Sequence, residues 1–148
     1  MIIRKYEQDD LLEIIQLFYD TVHHINIKDY NLEQIEAWTS SYNDLKYWQN
    51  KMHNSYCIVA LMDQKIVGFA NIEDNGYFDC LYVHYRYQNK GIGSRLCEAI
   101  EKYYPNKKVV HVSLTALSFF LKRGYKIIKK QSVYKDNIML TNIVMEKD

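Results

Sequence analysis

The chain has 148 residues, 48% of them apolar, with nineteen basic and eighteen acidic side chains and a net charge of +1. That length suits one globular domain of the usual ~100–200 residues, so residues 1–148 are read as a single domain. The near-neutral charge excludes a global basic field and the attraction to nucleic acid or an anionic membrane that comes with it.

The longest stretch without a formal charge, Val109 to Leu121, contains a histidine and spans thirteen residues, short of the ~20 apolar residues of a spanning helix. Met1 to Tyr6 offers no apolar signal core. Cys57, Cys80 and Cys97 are odd in number and lack C-x-x-C spacing, which predicts reduced thiols in a cytoplasmic protein and no metal site.

Ile2 to Tyr6 reads as a first strand. Asp10 with Glu13 has the form of a capping box and starts a helix whose apolar face (Leu11, Ile14, Ile15, Phe18, Val22) runs to about His24. Asn31 caps a second helix through Trp38, and Asp44 a third through about His53. Tyr56 to Leu61, Ile66 to Glu73 and Tyr77 to Val83 then form a meander, joined by turns at Asp63-Gln64-Lys65 and Asp74-Asn75-Gly76.

A polar loop, His84 to Lys90, leads into a helix with a core face of Ile92, Leu96, Ile100 and Tyr103, ended by Pro105. Val109 to Ser113 is a strand, Ala116 to Arg123 a helix stopped by Gly124, Tyr125 to Lys130 a strand, and residues 138–145 the last strand. The order predicts an α/β fold: a mixed, mostly antiparallel sheet with helices on both faces.

The informative segment is Leu81-Tyr82-Val83-His84-Tyr85-Arg86-Tyr87-Gln88-Asn89-Lys90-Gly91-Ile92-Gly93-Ser94, where a strand ends and two glycines open a helix. Glycine lets backbone N–H groups approach a ligand, the helix N-terminus adds unsatisfied donors, and Lys90 adds charge. The spacing is not that of a Walker loop. It is not a dinucleotide fingerprint either, because the third glycine position holds Leu96. Tyr82, Tyr85 and Tyr87 have the look of a base-stacking surface, but without a basic neighbourhood sheet packing and loop cover are the better reading.

Here the sequence resembles the GCN5-related N-acetyltransferase family. Its motif V-x-P-x-x-[RQ]-x-x-G-x-[GA] is matched by Val83, Gln88, Gly91 and Gly93, with Tyr85 in place of the proline. Val67-Gly68-Phe69-Ala70 looks like the family's third strand, and Ala116 to Tyr125 like the region after the fifth. The segment Glu33 to Trp38 resembles a subgroup of small bacterial acetyltransferases.

The resemblance implies a splayed parallel strand pair, the fourth and fifth, with acetyl-coenzyme A in the cleft between them. Main-chain amides of Gln88, Asn89, Lys90, Gly91, Ile92, Gly93 and Ser94 would take the pyrophosphate. Leu81, Tyr82 and Val83 would pair with the pantetheine, and the Val83 amide would polarise the thioester carbonyl. Ser113 stands where the family often has an asparagine on the cofactor arm, and Phe119 and Phe120 would face the pantetheine end. Many members carry at position 120 a tyrosine that protonates the leaving thiolate. Phe120 has no such proton, so either the thiolate leaves unaided, or Tyr134, Ser118 or water substitutes, or the chain binds acyl-coenzyme A without turnover.

The acceptor amine must lose a proton. Glu73, Asp79 and His24 are the candidate bases, and His23, His24, Asp29, Tyr30 and Trp38 the candidate acceptor contacts. No cysteine has an activating neighbour, so direct transfer in a ternary complex is expected. The expected partners are acetyl-coenzyme A and a small amine, with a homodimer left open. A peptide amine, or a catalytically weak acyl-coenzyme A-binding module, is the alternative.

Overall fold

The computed structural model describes residues 1–148, with strands β1 (Ile2–Lys5), β2 (Tyr56–Met62), β3 (Lys65–Ile72), β4 (Tyr77–Val83), β5 (Lys108–Ser113), β6 (Lys126–Lys135) and β7 (Ile138–Lys147). They form one seven-stranded sheet in the order β1-β2-β3-β4-β5-β7-β6. All neighbours are antiparallel except β4 and β5. Helices α1 (Leu11–His24), α2 (Leu32–Trp38) and α3 (Leu45–His53) precede the meander, while α4 (Ile92–Tyr103) and α5 (Leu117–Lys122) flank β5.

Each face of the sheet has its own core, as alternation along a strand requires. On one face Ile14, Phe18 and Val22 of α1, Ile35 of α2, and Trp48 and Met52 of α3 pack on Val59, Phe69 and Cys80. On the other Ile92, Leu96 and Ile100 of α4 and Phe120 of α5 pack on Ala60, Val67, Phe78, Val110 and Val112. The approach of α4 to β3 depends on Gly68, where a Cβ would lie 2.9 Å from Leu96 Cδ1 and 3.1 Å from the Tyr82 oxygen.

The caps at Asn31 and Asp44 form as the sequence predicts: their side chains accept from Gln34 N at 2.8 Å and Tyr47 N at 3.1 Å. The Asp10–Glu13 box does not. A turn of 3-10 helix, Gln8–Asp10, precedes α1. Asp10 instead accepts from Glu7 N at 2.8 Å and binds the Arg4 guanidinium through both oxygens. Glu13 reaches across to accept from Ile66 N at 2.8 Å. Tyr103 is 52% exposed and stacks on Tyr56 instead of entering the core. The expected strand Tyr125–Lys130 runs from Lys126 to Lys135, because Asp136 and Asn137 both take left-handed φ (52° and 65°) in a two-residue turn that carries the ladder to its end.

Two irregularities prepare the site. The parallel pairing of β4 and β5 consists of Tyr77↔Val109 and Phe78↔Val110 only, after which the strands diverge. The β3–β4 register also shifts: Asn71 faces Cys80 and Ile72 faces Phe78, leaving Asp79 as the extra residue of a bulge. Bulges of this kind re-aim a side chain.

Candidate active site

The diverging strands enclose a cleft of about 470 Å³ whose walls include Leu81, Tyr82 and Val83 on β4, Val110 to Ser113 on β5, and Phe119 and Phe120 on α5. His84 N donates to Val67 O at 2.8 Å. By the alternation of an antiparallel ladder, Tyr82 also turns its main-chain groups to β3, while Leu81 and Val83 turn theirs into the cleft. With β5 diverged, the Leu81 and Val83 main chains face an open edge.

At the mouth of the cleft lies the glycine loop. Gln88, Asn89, Gly91, Ile92, Gly93 and Ser94 all line it. Asn89 (φ 61°) and Gly91 (φ 79°) are left-handed around Lys90, and Gly91 is the N-cap residue of α4 with nothing within 4 Å of the place a Cβ would occupy. Such alternation converges successive N–H groups into an anion-binding hollow, here at the positive end of a helix. The Gln88 side chain points back to the strand, donating to Val83 O at 2.7 Å. Lys90 is exposed and outside the lining.

At the closed end the bulge turns Asp79 toward α3, where it pairs with Lys51 Nζ at 3.0 Å and accepts from Asn71 Nδ2 at 3.3 Å. Burial works against the Lys51 charge, but Cys80, Asp79 and the hydrogen bonds of Tyr47 and Asp79 hold its pKa above the usual value. Asp79 is the one carboxylate in the lining, which has no lysine or arginine. His111 faces it from β5. Burial and Lys129 push the His111 pKa below the usual imidazole value, against the opposing pull of Asp79.

The other sequence candidates divide. Trp38 lines the cleft and donates from Nε1 to Tyr82 Oη at 3.3 Å. Ser113 lines it too, its Oγ accepting from Ala116 N at 3.1 Å. Glu73, His23, His24, Asp29 and Tyr30 are not brought to it. Glu73 belongs to the β3–β4 hairpin, beyond the closed end, with its N–H on Tyr77 O. His23 and His24 each bond Nδ1 to the carbonyl four residues back in α1, and His24 stacks on Tyr85 at 3.8 Å. Asp29 is exposed, and the buried Tyr30 donates to Thr141 O at 2.7 Å while accepting from Leu114 N at 3.0 Å.

The tyrosine absent at position 120 has no replacement from Tyr134 or Ser118, which are exposed away from the cleft. Tyr125, beside Phe120, gives its hydroxyl to Glu101 at 2.9 Å.

Thr21, Asn26 and His111, which the sequence did not mark as site residues, also line the cleft, as does Tyr87, which it marked only for packing. Of these only His111 carried a readable signal: a lone imidazole between two valines of a strand, necessarily on the opposite face from both.

An open parallel fork with a glycine-bearing loop and a helix N-terminus at its mouth is an architecture suited to a long, phosphate-bearing arm between two strands. The family model described as acetyltransferase (GNAT) domain matches residues 26–147, and the chain belongs to this family of acetyl-coenzyme A-dependent acyltransferases. It is 29% identical over 143 residues to YafP, an uncharacterized N-acetyltransferase of Escherichia coli K12, covering 97% of this chain and 93% of YafP. A GCN5-related N-acetyltransferase from Rhodopseudomonas palustris superposes with a TM-score of 0.96 at 28% identity, over 99% of this chain and 94% of that one. The PaiA N-acetyltransferase of Thermoplasma acidophilum, solved in complex with coenzyme A, gives 0.78 at 22% identity, over 99% and 98%.

Proposed function

We propose that the protein transfers an acetyl group from acetyl-coenzyme A directly to the primary amine of a small molecule, with both bound at once. The observation that carries this is the fork: the Leu81 main chain and the Val83 N–H, which face the diverged β5 and have no strand partner there, lead from the glycine loop to Asp79 and His111. Coenzyme A in the PaiA structure supports the same ligand here.

The loop amides from Gln88 to Ser94 hold the pyrophosphate, and the open edge of β4 takes the pantetheine as an added strand. Val83, at the mouth, holds the arm. In place of the Val83 N–H that the family resemblance implies, Leu81, deeper and beside Asp79, offers its N–H to the thioester oxygen, where negative charge develops in the transition state. Direct transfer follows from the cysteines: Cys57, Cys80 and Cys97 are buried, and burial raises the pKa of each, foremost among the causes. None is a ready thiolate nucleophile. Free, buried thiols also support a reducing, cytoplasmic setting. No helix is long and apolar enough to cross a membrane.

A lining of aromatic, aliphatic and neutral polar groups, whose one carboxylate is already paired with Lys51, favours an acceptor with one amine on an uncharged body over a polycation. Calorimetry with acetyl-coenzyme A and coenzyme A, followed by thiol release across small amines and lysyl peptides, tests the reading. Binding of both with release on small amines is the expected result. Binding of neither overturns it; release on peptides alone makes it a peptide acetyltransferase, and tight binding without release makes it a binding module.

A further inference from the structure

Phe120 leaves open how the departing thiolate receives a proton, and the geometry of the fork supplies an answer. The last paired rung of the fork is Phe78↔Val110. The next residue on each strand, Asp79 on β4 and His111 on β5, stands where the strands part, and both line the cleft. Val110 and Val112 are 5% and 2% exposed in the core under α4 and α5. Strand alternation therefore puts the His111 side chain on the opposite face, the face of α1 to α3. Lys51 of α3 draws Asp79 to that face, and the Tyr77 ring lies edge-on to the His111 ring at 5.0 Å.

We propose that His111 carries the proton of the reaction, taking it from the nitrogen of the acceptor adduct and returning it to the sulfur of coenzyme A. The inference rests on the acetyltransferase reading above. Asp79, the other group at this point, is a poor carrier because its charge is compensated by Lys51 and its oxygen accepts from Asn71. His111 is exposed toward the cleft, and the ionisable groups around it are Asp79 and Tyr77 on β4, Lys129 on β6 and, through Asp79, Lys51 on α3. Burial and Lys129 lower its pKa from the ordinary imidazole value, which favours the neutral form that accepts a proton.

The chemistry balances. The acceptor, an ammonium in solution, gives one proton to water and enters as the neutral amine; it attacks the thioester carbon, a C–N bond forms, and the carbonyl π pair moves to oxygen beside the Leu81 amide. The adduct nitrogen, now cationic and strongly acidic, passes a proton to His111. The oxygen pair re-forms the carbonyl, the C–S bond breaks with its electrons on sulfur, and imidazolium gives the proton to the thiolate. That last transfer is downhill, since a thiol of this kind has a pKa of about 8.5 against about 6.5 for an ordinary imidazolium. Amide and free coenzyme A leave, and His111 is neutral again. One side chain then does the work of a separate base and acid, which accounts for a phenylalanine at position 120.

The test compares wild type, H111A and H111Q in coenzyme A release from pH 5 to 9.5, with the fastest acceptor of a primary-amine panel and with water as acceptor. Calorimetry on acetyl-coenzyme A runs in parallel. The expected result is a fall in kcat of about 100-fold in both variants, with acetyl-coenzyme A affinity unchanged within threefold. The acidic limb of the kcat/KM profile should disappear, and added imidazole should restore part of the H111A rate. An unaltered pH profile in H111Q, or turnover close to wild type in H111A, overturns the assignment of His111 alone. Failure of wild type to bind acetyl-coenzyme A, or to release thiol to any amine or water, overturns the acetyltransferase reading and this assignment with it.

Discussion

The Gln88 side chain donates through Nε2 to the main-chain oxygen of Val83 at 2.7 Å, tying the glycine loop to the last residue of β4. The family motif thus contains one residue that holds the loop's shape and others that present its amides. Thr21 Oγ1 donates to the same oxygen at 3.2 Å, so α1 is fastened to this corner as well.

Replacing Gln88 with leucine removes the tie and leaves the loop's own amides in place. The expected outcome is acetyl-coenzyme A affinity reduced about tenfold, with a stability loss near the ~1 kcal/mol of one hydrogen bond. Gly91→Val should act far more severely on the ligand: a β-branched residue at φ 79° is strained by about 1–3 kcal/mol, and its side chain occupies the open space at the mouth. Calorimetry and urea unfolding on both variants separate the two effects.

Lys51 and Asp79 meet at 3.0 Å with side chains only 20% and 10% exposed. Lys51→Met leaves a largely buried carboxylate without its partner, and unfolding in urea should show a loss of roughly 3 kcal/mol. The double replacement K51M/D79N should recover a large part of it, because no uncompensated charge remains. Additive losses would show that the pair is not coupled.

Asp10 lies at the entry of α1, and the Arg4 hydrogen bonds, opposed by burial and aided by Glu7 N–H, hold its pKa below the ordinary 3.8. A folded-state value below the unfolded one gives stability that is complete above pH 3.8 and disappears as pH falls through the lowered value. Asp10→Asn should therefore be less stable than wild type near neutrality, with the difference shrinking in acid. A constant difference across the acid range would exclude the Arg4 pairing as its source.

Phe120 is buried against Phe78 and Tyr125 at the cleft wall, with ring centroids 6.0 and 5.0 Å away. Phe120→Tyr places a phenol at this wall of the cleft. If His111 returns the thiol proton, F120Y should raise kcat at least tenfold in an H111Q background, so the two changes are strongly non-additive. Equal effects of F120Y with and without His111, measured by coenzyme A release, would separate the phenol from His111's task.

Local features were legible where neighbours in the chain decide them. Asn31 and Asp44 cap their helices because each cap depends only on a few adjacent residues. Asp10 has the spacing of a capping box, yet Arg4 from β1 offers its carboxylate a charged, two-pronged partner, which outweighs a single amide hydrogen bond. The histidines at the end of α1 looked chemical and proved local: a Nδ1 bond to the carbonyl four residues back needs only the helix itself.

The sequence by itself determined the loop from Gln88 to Ser94, since that hollow is made by consecutive backbone groups and by the two residues, Asn89 and Gly91, able to hold left-handed φ. It also determined the order of strands and helices. Tertiary structure alone decided which acidic or basic side chains meet the cleft. Asp79 is aimed by a bulge that exists only in the β3–β4 register, and His111 reaches it only because β5 separates from β4 after Val110. Side chains thirty-two positions apart are brought together there by strand pairing, and no local spacing encodes where that pairing stops.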